Sequence, residues 1–143
     1  MSIKAVRRAI QTHVKTLSGI RRSETVMPDT INTADLPLAV TYTGRGVWTG
    51  LTFGEHGNQQ TRTYVVRVYV EPIGQGVTDE RYTAAEELMQ TVAKSFQSAS
   101  VSGVWKFTEI TDSGVMADGR LAWANVPYVG FEVTIKAVQL EAV

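Results

Sequence analysis

The sequence predicts an α+β fold: a mainly antiparallel sheet, two helices packed on one side of it, and a long hairpin-like loop. Three observations predict it. Apolar residues recur at helical spacing in two separated stretches, near residues 2–18 and 79–97. The segments between and after them are rich in β-branched and aromatic residues and alternate in polarity. The resulting order is helix, two strands around a long loop, helix, then three strands. It keeps helices apart from hairpins, as α+β proteins do.

Residues 2–18 form the first helix. Ile3, Val6, Ile10, Val14 and Leu17 share one face, Lys4, Arg7, Arg8, Gln11 and Lys15 occupy the others, and Gly19 suits the residue that ends a helix. The linker after it, with Pro28 and a polar run at 32–35, is extended. Leu36 precedes Pro37 and is biased away from helix, so residues 36–42 begin as an edge-like strand. Residues 61–71 give the strongest strand signal. Tyr64, Val66, Val68 and Val70 should face the core, while Val65, Arg67, Tyr69 and Glu71 form a mixed face towards water or a neighbouring subunit.

Pro72 stops that strand, Gly74 and Gly76 make a turn, and a second helix spans about Asp79 to Gln97. Its apolar stripe is Tyr82, Ala85, Met89, Val92 and Phe96. Thr83 and Glu86 fit a capping box, with Thr78 or Asp79 able to cap one turn earlier. Residues 104–110 and 120–126 read as strands joined across a segment with Asp118-Gly119 as its turn signal. Residues 128–140 form the last strand, with Val129, Phe131, Val133 and Ile135 on one face.

Between the first two strands, residues 43–60 carry five glycines, which weaken a strand interior. The same stretch carries Val47, Trp48, Leu51 and Phe53. Burying one such side chain is worth roughly 1.5–3 kcal/mol, so three left wet forfeit on the order of 5 kcal/mol. A glycine-hinged loop with this cargo wants a partner surface. The competing reading folds Trp48 and Phe53 back onto their own sheet.

The chain has 143 residues, the size of one domain spanning 1–143. Apolar content of 43% places it among soluble globular proteins. With no cysteine, disulfides, thiolate nucleophiles and cysteine metal sites are excluded. Nothing resembles a signal peptide or a membrane span, so a soluble product made in the cytoplasm is expected, with no membrane partner. Net charge is zero but uneven: the first 22 residues carry six bases and no acid, leaving eight bases and 14 acids for the rest. Two complementary faces meeting between identical subunits fit that polarity better than a dedicated nucleic-acid patch. Arg7, Arg8, Arg21 and Arg22 are the candidates for such charged contacts, the competing reading being that they are simply solvated.

Chemistry-bearing patterns are sparse. His13 borders the first helix's apolar stripe, which suits a structural role, and His56 beside Glu55 lacks further ligands at zinc spacing. Asp112 and Asp118 lack the calcium-loop pattern and fit turn chemistry. Gly74-Gln75-Gly76-Val77-Thr78-Asp79 follows a strand and precedes a helix, but it has Asp79 where a dinucleotide loop needs glycine and no negative charge. No G-x-S-x-G elbow occurs, and the adjacent acids Asp79-Glu80 and Glu86-Glu87 suit a helix start and a solvated face. No cofactor, metal or catalytic residue is expected.

Several pieces together resemble the tail terminator (tail completion) proteins of long-tailed bacteriophages. They are the helix opening Ile3-Lys4-Ala5-Val6, the Thr33-Ala34-Asp35-Leu36-Pro37 lead-in to the first strand, and the long loop before Tyr64–Val70. The helix Tyr82–Gln97 and the closing Tyr128-Val129-Gly130-Phe131-Glu132-Val133 strand complete the set. The resemblance implies a non-enzymatic virion protein forming a hexameric ring at the head-proximal end of the tail tube. Its partners would be further copies of itself, the major tail tube protein and the head–tail connector, with DNA only as passing cargo. A neck adaptor or another minor tail protein shares this physics. A small nucleic-acid-binding domain using the basic first helix is the rival from another class.

Overall fold

The computed structural model describes residues 2–49, 58–74 and 76–141. Helix α1 covers Ile3–Lys15; strands β1, β2 and β3 cover Arg22–Glu24, Leu38–Thr49 and Asn58–Pro72. Helix α2 covers Asp79–Ser95, followed by β4 (Lys106–Asp112), β5 (Ala122–Trp123) and β6 (Val126–Glu141). The sheet order is β1-β2-β3-β6-β4, with β5 pairing the start of β6. Among the described residues, only the β1–β2 pair is parallel. The fold is therefore α+β, with a mixed, mostly antiparallel sheet.

Both helices cover the same sheet face. Val6, Ile10 and Val14 from α1, with Val92 and Phe96 from α2 and its end, pack on Tyr64, Val66, Val68, Phe131, Val133 and Ile135. Those strand residues are the alternating set that period-2 patterning assigns to one side. Ser2 caps α1 by accepting from the Ala5 N–H at 3.1 Å, and Thr78 caps α2 by accepting from Arg81 N–H at 3.2 Å. The α2 cap is thus one turn earlier than the Thr83 box. Helix α1 ends at Lys15, three residues before the expected boundary, because the Thr16 and Leu17 N–H groups turn back onto the His13 and Val14 carbonyls at 3.1 and 3.0 Å in a tighter last turn. Gly19 instead serves the following turn, at φ +94°, with Leu88 packed close against its α-carbon.

Strand β1 was not visible in the extended linker. Three residues are too few for alternation, and tertiary contacts hold them. The Gln11 side chain donates to Ser23 O at 2.6 Å, and Ser23 Oγ donates back to Gln11 O at 2.9 Å.

The face opposite the helices is half covered by the chain itself. Leu38, Val40, Tyr69 and Tyr128 lie beneath Leu36, Met116 and Leu121. Tyr69, expected on a mixed outward face, is consequently buried, with its ring edge-on to Tyr128 at 5.4 Å. Gly130 permits this cover: a Cβ there would fall on Val68 O and Leu121 Cδ2.

The expected pairing of 104–110 with 120–126 does not form. β4 pairs with β6, while 120–126 contributes only the two-residue β5. Ala124 and Asn125, at φ +51° and +66°, fold β5 straight back onto β6 in a two-residue hairpin. Asn125 suits that left-handed backbone.

Candidate assembly surface

The glycine-rich stretch does not leave the sheet at residue 43. β2 continues to Thr49, paired with β3 as far as Thr49 opposite Gln59, and one bulge falls between Thr43 and Gly46. The glycines are points of close approach. A Cβ on Gly44 would meet Thr63, and one on Gly46 would meet the Arg62 guanidinium. Arg62 reaches over this bared backbone, donating through Nη1 to Gly44 O at 3.0 Å and through Nε to Gln60 Oε1 at 2.9 Å. Its guanidinium lies 5.9 Å from the Trp48 ring centre, a cation–π distance. Local glycine chemistry thus extends the hairpin rather than breaking it.

Alternation then places Trp48 on the helix-bearing face, with Arg62 and Gln60, and Val47 on the opposite face. Val47 is 63% exposed and Trp48 43% exposed. They stand on the outer edge of β2, beyond the three residues that β1 covers. Leu51 and Phe53, expected to join them, lie outside the described residues. Beneath Trp48, Gln60 and Gln139 face each other across β3 and β6, both buried. Tyr64 donates to Gln139 Oε1 at 2.7 Å, while Gln139 Nε2 has no partner among the described residues.

The opposite sheet edge carries a feature the sequence reading missed. Trp105, immediately before β4, is 65% exposed, with Lys106 Nζ 4.7 Å from its ring centre. It borders an open groove of about 600 Å³ whose lining mixes apolar Phe96, Val104 and Phe107 with polar Gln97, Ser98 and Thr108. Phe107 closes the floor, edge-on to Phe96 at 5.6 Å. A tryptophan inside the expected strand 104–110, close behind the small-residue linker at 98–103, was the available signal.

The four arginines are not one patch. Arg8 and Arg21 are exposed, and Arg7 is half-buried with its Nε enclosed and unpartnered among the described residues. Arg22 is already engaged, at 2.9 Å from Glu24 and 3.0 Å from Asp35. Its charge is thus met first within its own chain, before any contact with a partner's acids. The hydrogen bond to Glu24 is the main stabiliser of its charged form. The outer sheet face is likewise self-paired: Arg67 bonds Glu132 at 2.8 Å and covers the Tyr42 ring, and Lys136 bonds Glu109 at 3.1 Å.

His13 lies between the helices, its Nε2 3.0 Å from Ser95 Oγ and its ring 4.8 Å from that of Phe96. Ser95 donates its own proton to Val92 O, so the histidine supplies the Nε2 hydrogen. Burial holds its pKa below the ordinary value. Among the described residues, no group of three His, Cys, Asp or Glu could hold a metal, and no helix is long and apolar enough to cross a membrane. No protein-family model matches the chain, and no curated protein matches it.

Proposed function

We propose that this chain is a structural virion protein, a tail terminator whose copies close into a hexameric ring. The ring caps the tail tube and joins it to the head connector, leaving a channel for DNA. One observation carries the reading: Val47 and Trp48 stand exposed on a sheet edge that is open among the described residues, on a hairpin stiffened by Arg62. Open edges and large exposed apolar side chains are where proteins pair with other chains. The mechanism is capping by mimicry and blockage. One face of the ring matches the growing tube end, and the other accepts the connector but no further tube ring. The role is structural, and its location is the tail or neck of the particle.

Native mass of the purified protein, alone and with tail-tube protein, tests this. A closed oligomer that adds to the tube end is expected; a monomer at every concentration that ignores the tube would refute it. A second reading rests on Lys4, Arg8 and Lys15, exposed along the side of α1 away from Val6, Ile10 and Val14. If those three neutralise phosphates, log affinity for DNA falls with log salt at a slope of about −3. Absence of binding at moderate salt dismisses it.

A further inference from the structure

We propose that the seam between copies is a continuous sheet, β2 of one copy adding antiparallel to β4 of the next, with Val47 level with Lys106. This rests on the ring reading and names its contact. Among the described residues, β2 beyond Val40 has a strand only on its β3 side, and β4 has one only on its β6 side.

The two open edges match in extent. One transverse row of the sheet runs Thr41–Val66–Val133–Asp112, and another runs Val47–Thr61–Val138–Lys106. Residues 41–47 and 106–112 therefore span the same levels on opposite edges. Below them one edge is closed by β1, and on the other β4 has ended. The two edges also match in shape. β2 has its bulge between Thr43 and Gly46, and β4 has one between Phe107 and Glu109, both next to the row Gly46–Arg62–Ala137–Phe107. Bulges add twist and one extra residue, so paired edges must carry them at the same level to stay in register. The directions agree as well. β2, β3, β6 and β4 alternate, so β4 runs opposite to β2 and a neighbour set alongside meets it antiparallel.

Side chains fit the same placement. Trp48 lies on the helix-bearing face, as does Phe107, so the tryptophan of one copy falls at the neighbour's groove beside Phe96, Trp105 and Phe107. Arg45, exposed in the β2 bulge, comes to the level of Glu109, just after the β4 bulge. The Lys136 hydrogen bond holds that carboxyl below its ordinary pKa, keeping it charged. Such a contact uses different surfaces on the two partners, and copies joined this way generate a ring when the rotation closes.

The natural chain has no cysteine, so Val47→Cys with Lys106→Cys gives a clean test. Within one copy these positions lie three strand spacings apart, about 14 Å, beyond disulfide reach. Across the seam their α-carbons come to about 4.5–5.5 Å. Mild oxidation should give a reductant-sensitive ladder of covalent oligomers ending at the ring. Val47→Cys with Asp112→Cys, and each single variant, should give none. A ring by native mass with no ladder overturns the seam while leaving the ring, and so does a covalent dimer from Val47→Cys alone. A monomer by native mass overturns both.

Discussion

Replacing Trp48 by alanine separates assembly from folding. A large aromatic side chain has up to about 250 Å² to bury, and 43% of Trp48 is exposed in the single copy, so roughly 100 Å² awaits a partner. At ~25 cal/mol per Å² that area is worth about 2.5 kcal/mol at each seam, before the cost of ordering the side chain. Trp48→Ala should therefore raise the concentration for half-assembly by roughly tenfold or more. The covered part of the ring also stabilises the monomer, and its loss should cost on the order of 2 kcal/mol. A domain stable by ~5–15 kcal/mol tolerates that and stays folded at room temperature. Sedimentation velocity over a concentration series, with circular dichroism on the same samples, reads both quantities. Unchanged half-assembly beside a lowered melting temperature would refute the reasoning, because Trp48 would then belong to its own core.

Gly130→Ala places a methyl group on Val68 O and Leu121, beside the bulge near the Pro72–Tyr128 end of the β3–β6 ladder. Overpacking of that kind costs about 1–3 kcal/mol or more, so a thermal melt should fall by roughly 5–10 °C. His13 has a folded-state pKa below its unfolded value, so its contribution to stability is complete above about pH 6.5 and declines as pH falls below it. Urea midpoints from pH 7.5 to 5 should show this loss in the natural chain and lack it in His13→Phe. Arg8→Glu, on the exposed side of α1, should leave the melt within about 0.5 kcal/mol of the natural chain. If α1 contacts an acidic surface, the same change weakens joining most at low salt, and identical joining at 50 and 300 mM salt removes Arg8 from the contact.

Much of the fold was legible because burial repeats along the chain. Val6, Ile10 and Val14 announce the first helix, Ala85, Val92 and Phe96 the second, and the alternation through Tyr64–Val68 and Phe131–Ile135 the two central strands. The features that were misread depend on neighbours far away in sequence. β1 exists because Gln11 clasps Ser23, and Tyr69 is covered because distant Met116 and Leu121 fold over it. Gly44 and Gly46 look like breakers until Arg62 and Thr63 are seen lying against them.

For the candidate surface the division is the same. Composition alone places exposed-cost residues Val47 and Trp48 in a stretch that cannot be ordinary core, and charge counting places the bases first. Arg22 shows the limit of that counting, since Glu24 and Asp35 consume its charge only once the chain is folded. What tertiary structure alone decided is the pairing of edges. β4 beside β6, rather than beside residues 120–126, leaves Lys106–Asp112 facing outward opposite Thr41–Val47. Strand order follows from which apolar faces and backbone donors can be satisfied together in three dimensions, a choice that no local period along the sequence encodes.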